Sequence, residues 1–205
     1  MKPIDMATAQ EIIDFSGGDS RLKNLGQIQL EGSVALHNML ADPKVGLGYL
    51  ADEVGMGKTY VALGVVALMR YFNPSLRVLY ICPSRNVQEK WDREYLSFTK
   101  HNVKVSQYRI RTVEGKPATP YISCQNVTEM IKMSSLGYYA DFYVRKDSFS
   151  IGLDDDDTEE KVHWKEKCES IRKLIPGHEW DGIVNTKADV KIQYAKALNY
   201  ILPTF

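Results

Sequence analysis

The run Gly55-Met56-Gly57-Lys58-Thr59 constrains this chain more than any other. It stands between a short apolar run, Val45 to Ala51, and a long apolar stretch, Lys58 to Phe72, that ends at Asn73-Pro74. The first reads as a buried strand and the second as a helix. A glycine-rich turn joining a strand to a helix is the setting in which backbone N–H groups wrap a phosphate. Glycine permits the turn and the close approach, and the helix start adds the positive end of its dipole. Lys58 is then expected to place an ammonium on the β- and γ-phosphates, and the Thr59 hydroxyl to ligate the Mg²⁺ of a triphosphate. The strict pattern G-x-x-x-x-G-K-[ST] wants a small residue at position 52, and here that residue is Asp52.

Around this turn the chain alternates. Gln27 to Leu40 reads as a helix closed by Ala41-Asp42-Pro43, and Arg77 to Cys82 as a second apolar strand. Ser84 can cap a following helix whose inward face is Val87, Trp91, Tyr95 and Phe98, at spacings of four, four and three. Val103 to Tyr108 alternates weakly, as a third strand would. Strands apolar throughout, alternating with helices, imply a parallel sheet covered on both faces: a three-layer α/β nucleotide-binding fold. Beyond residue 110 the pattern loosens. A short helix is expected at Asn126 to Met133, a strand at Tyr139 to Arg145, and helices at Glu159 to Leu174 and Lys187 to Ile201. The acidic block 154–160 reads as a solvated loop entering a helix. The expected organisation is a lead-in over 1–24, a phosphate-loop core over 25–109, and the remainder of the lobe with an insertion over 110–205.

Composition narrows the classes. The chain has 205 residues, with Lys plus Arg equal to Asp plus Glu at 26 each, so bulk charge gives no pull toward nucleic acid and any such contact must be local. No apolar run approaches the roughly 20 residues of a membrane span, and the N-terminus lacks a signal-peptide layout. A cytoplasmic protein is expected, with no membrane partner. Cys82, Cys124 and Cys168 are far apart and form no C-x-x-C pair, so neither a disulfide nor a structural metal is expected.

The departure at Asp52 carries information. Leu50-Ala51-Asp52-Glu53-Val54-Gly55-Met56-Gly57-Lys58-Thr59 resembles motif I of the Swi/Snf-like branch of superfamily 2 helicases, where Asp-Glu precedes Gly-x-Gly-Lys-Thr. Gln29-Leu30-Glu31-Gly32 resembles that branch's glutamine motif, and Val78 to Trp91 resembles motif Ia, a strand ending in Cys-Pro-x and a helix bearing Trp. The resemblance implies a RecA-like first motor lobe. Its cofactors would be ATP and Mg²⁺. Asp52, Glu53, Val54, Gly55, Met56, Gly57, Lys58 and Thr59 would surround the phosphates, Lys58 and Thr59 being the catalytic pair. Gln29 would read the N6/N7 edge of adenine, with Gln27 as its competitor one register away. Pro83, Ser84 and Arg85 would hold the backbone of duplex DNA, through side chains and helix N-terminal amides that read no sequence.

A motor of this kind also needs a carboxylate pair at a strand end, D-E-x-H in motif II of the family. No such string occurs in these residues, and Trp180-Asp181-Gly182-Ile183-Val184 lacks the pair. The stretch ending at Phe205 resembles the approach to motif II. The expectation is therefore a first lobe truncated before motif II that binds ATP without hydrolysing it efficiently, its second lobe and arginine finger lying outside the chain. The alternatives are an RNA helicase or other superfamily 2 motor, and a nucleotide-sensing interaction module that never hydrolyses ATP.

Overall fold

The computed structural model describes residues 2–51, 55–104, 121–149 and 187–205. In chain order the elements are α1 (Met6–Ile12), α2 (Lys23–Ala41), α3 (Lys58–Phe72), β1 (Val78–Cys82), α4 (Arg85–His101), β2 (Tyr121–Ser123), α5 (Val127–Ser135), β3 (Asp141–Arg145) and α6 (Lys187–Ile201). Short 3-10 turns add Ser20–Leu22, Lys146–Phe149 and Leu202–Thr204. The chain forms two compact units, Met1–Leu76 with Glu89–Thr119, and Arg77–Gln88 with Pro120–Phe205.

The first unit is helical. Helix α2 buries Gln29, Ser33, His37 and Ala41 at intervals of four, beside Leu30 and Val34, so one stripe of the helix faces inward as a 3.6-residue period requires. Half of that stripe is polar, and Gln29 and Ser33 are hydrogen-bonded there. The Ser33 hydroxyl lies 2.9 Å from the Gln29 carbonyl and 3.1 Å from the Val61 carbonyl of α3, its one proton shared between them. Such proximity needs Gly64, where an added Cβ would sit 2.6 Å from Ser33 Oγ and 2.6 Å from Phe15 Cζ. Val61, Leu68, Tyr95 and Phe98 complete this core with Ile12, Ile13 and Phe15.

The opening residues belong to that core. Asp5 caps α1 by accepting from the Thr8 amide at 2.8 Å. The Asn38 side chain accepts from Ile4 N–H at 2.7 Å and donates to Ile4 C=O at 2.8 Å, treating that residue as a neighbouring strand would. Ile13 bridges Val103 antiparallel, and Asn102 donates to the Asp14 carbonyl at 2.8 Å.

The second unit holds the sheet. All pairings are parallel, in the order β1-β3-β2, with Val78 opposite Asp141 and Tyr121 opposite the same residue on the other side. One face, Leu79, Ile122, Phe142 and Val144, packs on Val127, Met130 and Ile131 of α5 and on Ala197 and Ile201 of α6. On the other face Tyr80 stacks on Tyr143 with ring centroids 4.3 Å apart. Arg77 donates to Ser134 Oγ at 2.7 Å, and its guanidinium lies 5.1 Å and 4.8 Å from the ring centroids of Phe142 and Phe205, which meet each other edge-on.

The α/β class and the parallel sheet match expectation. Helices α3 and α6 begin and end where the sequence placed them, and Asn126 caps α5 by accepting from the Glu129 amide at 2.9 Å. Val45 to Ala51 is corrected: it forms no strand. Leu47 and Tyr49 are 81% and 83% exposed, and among the described residues no strand lies beside this run to supply the ladder that an apolar sequence alone cannot. Val103 makes only the bridge to Ile13, and the rest of the expected third strand lies outside the described residues. So do the acidic block, the helix expected at Glu159 to Leu174, and Trp180 to Val184.

Candidate functional site

The turn before α3 is built from two glycines in the left-handed region, Gly55 at φ +95° and Gly57 at φ +76°. Only glycine adopts such angles at no steric cost. Around Gly55 the space a Cβ would take is empty, whereas at Gly57 it is filled by the Gln29 side-chain amide. Gly57 is also the cap position of α3, and as glycine it brings no side chain of its own to that helix start.

Gln29 is buried in α2, and its Nε2 donates to the Met56 carbonyl at 3.1 Å. That bond uses one of two amide protons, leaving the other and the Oε1 acceptor for further partners. Gln27 is exposed and its amide donates to Glu31 at 2.8 Å along the helix surface. Of the two candidates, Gln29 is therefore the one that reaches the glycine turn before α3. Asp52, Glu53 and Val54 lie outside the described residues.

These residues open on a cavity of about 650 Å³ within the first unit. Gly55, Gly57, Lys58 and Thr59 line one part of it, with Gln29 and Tyr60. Phe15, Leu22 and Leu25 give apolar wall, joined by Ser16 and Gly17. Lys90, Glu94, Ser97 and His101, spaced by four, three and four along α4, complete it with Asn102. This α4 face has no signature in sequence, since charged residues at helical spacing look like a solvated surface. The Tyr60 hydroxyl donates to Ser97 Oγ at 3.3 Å and its ring meets Phe98 edge-on, tying the residue after Thr59 to α4.

In the second unit, Pro83, Ser84 and Arg85 are exposed where β1 passes into α4. The first turn of α4 carries no acidic residue, and the carboxyl ends of parallel strands are where α/β folds present their ligand sites. Gln88, which the sequence did not single out, is buried in the same turn, and its amide donates to the carbonyls of Tyr143 at 2.9 Å and Cys124 at 3.1 Å. Trp91 is half-buried on the inward side with Tyr95 and Phe98. Cys124 is no nucleophile: burial, then the Glu129 carboxylate, pushes its thiol up to about 12. No helix among the described residues is long and apolar enough to cross a membrane.

A model of the family described as type III restriction enzyme, res subunit, matches residues 24–136, more than half of the chain and well past the motifs that carried the resemblance. It supports a superfamily 2 helicase domain without singling out the Swi/Snf-like branch. No curated protein and no solved structure gives a significant match.

Proposed function

The chain belongs to the family of the type III restriction enzyme res subunit, a helicase-like ATP-binding domain, and on that footing we propose that Gly55 to Thr59 hold the phosphates of ATP in an ATP-driven DNA translocase. The observation that carries this reading is the left-handed Gly57 at the start of α3, backed by the Gln29 amide where a side chain would otherwise stand. Such a turn fits an anion, because Gly55, Gly57, Lys58 and Thr59 line an open cavity and the helix start adds the positive end of its dipole.

Lys58 supplies the charge on the outer phosphates, Thr59 the hydroxyl for Mg²⁺, and Asp52, Glu53 and Val54 the opening of the loop. Gln29 has two tasks: it fixes the loop through Met56, and its remaining amide atoms suit an adenine edge. The bound ATP and Mg²⁺ would supply the phosphoryl chemistry, which these residues hold and orient. Since the 205 residues contain no D-E-x-H string, they bind ATP without efficient turnover, the second lobe completing the site. The ten residues Leu50 to Thr59 favour the Swi/Snf-like branch. Pro83, Ser84 and Arg85 meet the backbone of duplex DNA, and a cytoplasmic location goes with this role.

The test is Lys58→Ala. Titration calorimetry with Mg·ATP should show binding by the parent chain and its loss in the variant, with turnover low in both, with or without duplex DNA. Unchanged ATP affinity in Lys58→Ala would remove the phosphate-loop assignment. Robust DNA-stimulated turnover by these 205 residues would overturn the proposal of binding without hydrolysis, and stimulation by RNA alone would move the protein to the RNA helicases.

A further inference from the structure

Three strand ends meet at the carboxyl edge of the sheet in the second unit, and the middle one carries an arginine. Strand β3 lies between β1 and β2, with Arg145 opposite Cys82 and Tyr143 opposite Ser123. Neighbouring strands are about 4.8 Å apart. Arg145 therefore stands one strand away from Pro83-Ser84-Arg85, which leaves β1, and one away from Cys124-Gln125-Asn126, which leaves β2. Its guanidinium is only partly used. Nη2 donates to the Gln125 carbonyl at 3.0 Å. Nε lies 3.5 Å from Asp147 Oδ1, makes no hydrogen bond among the described residues, and is shut off from solvent. Nη1 is not shut off in that way, the side chain is 30% exposed, and among the described residues no acceptor takes the Nη1 protons or the second proton of Nη2. The carboxylates at this edge do not cancel the charge. Asp147 is 70% exposed, where an ion pair is weak, and Glu129 is engaged by the Gln125 amide at 2.8 Å. Lys146, next in the chain, is exposed and adds a second cation.

Resting on the DNA reading above, we propose that Arg145 donates to a phosphate next to the one held at Ser84 and Arg85, so that the DNA backbone crosses the carboxyl edge of the sheet from β1 to β3. The unused N–H groups on the two Nη atoms suit two oxygens of one phosphate, which a planar guanidinium can take together. The bond to Gln125 holds the head in place beforehand, so little side-chain freedom is lost on binding. Lys146 strengthens the local field without the fork, and neither side chain reads a base when its partner is phosphate.

The experiment measures duplex DNA binding by the full chain over a salt series, for the parent and for Arg145→Ala, Arg145→Gln, Arg145→Lys and Arg85→Ala. Arg145→Ala should reduce the slope of log K against log salt by about 0.9, the share of one phosphate contact. Arg145→Gln can still donate to the Gln125 carbonyl but carries no charge. It should lose the same slope, which keeps the test intact should the alanine variant fail to fold. Arg145→Lys should keep the parent slope and bind less tightly, since an ammonium lacks the fork. A residue that merely tied down the Gln125 segment would leave the slope of Arg145→Gln at the parent value. If that slope is unchanged while Arg85→Ala lowers it, the backbone does not reach β3 and the contact at β1 stands. If neither variant lowers the slope, or the parent binds no duplex DNA, the DNA reading itself fails and takes this inference with it.

Discussion

A methyl group added at Gly57 would have to occupy the place of the Gln29 amide and sit in a left-handed backbone. The backbone alone costs about 1–2 kcal/mol for a residue with a Cβ, and losing the bond to Met56 adds roughly 0.5–1.5 kcal/mol. Gly57→Ala should weaken Mg·ATP binding by about tenfold or more in calorimetry; full affinity would separate the glycine from the site. A second residue, Asp14, shapes the cavity from its other side. Its carboxylate accepts from the Ser16 hydroxyl at 2.6 Å and the Ser16 amide at 2.9 Å, holding the turn that puts Ser16 on the cavity wall. The Ser16 hydroxyl is the main cause that holds the Asp14 carboxyl below its ordinary range, opposed by partial burial and helped by the Ser16 amide and Lys104. A depressed folded pKa means stability that is present above the unfolded value, about 3.9, and lost as the pH falls through the folded one. Asp14→Asn should therefore be less stable than the parent in urea at pH 7, and the gap should narrow below pH 4. A gap that stays constant with pH would show that the carboxylate's charge is not what the turn uses.

Among the elements, the contact of α2 with α3 is the most exacting. Gly64→Ala gains about 1 kcal/mol of helix propensity, but its Cβ would collide with Ser33 Oγ and Phe15 Cζ at 2.6 Å. Overpacking of this kind costs about 1–3 kcal/mol, and it disturbs a buried hydroxyl as well, so the variant should be destabilised in thermal unfolding. A gain in stability would mean that the two helices part more easily than their packing suggests. These elements also show what the sequence could and could not reveal. Helix α3 was legible at both ends because Gly57-Lys58 starts it and Asn73-Pro74 stops it, signals that act within a few residues. Val45 to Ala51 was not, because a strand exists only with its neighbours and nothing in an apolar run reports whether they are there. Helix α1, at seven residues, and β2, at three, are too short for periodicity to register. At the site, Gly55 to Thr59 stood out because backbone geometry demands glycine. The α4 wall did not, since Lys90, Glu94 and His101 become a cavity lining only once the helix is placed.

For the molecule as a whole, equal numbers of acidic and basic residues leave no long-range field to gather nucleic acid. On the proposed reading, attraction comes from the local patch at Pro83, Ser84 and Arg85, whose proposed contacts are to phosphate and so indifferent to sequence. Binding of duplex DNA should fall as salt rises, and Arg85→Ala should reduce the slope of log K against log salt by about 0.9, uniformly across sequences. An unchanged slope would place the contact elsewhere. One further consequence attaches to the first residues of the chain. Because the Asn38 amide closes two hydrogen bonds on Ile4, and Ile4 is itself buried, the segment before α1 is tied to the helical unit. The Ile4 amide proton is shielded from exchange until the helical unit opens. The Ile4 amide therefore reports on the integrity of the compartment around the cavity, although it lies outside every helix and strand.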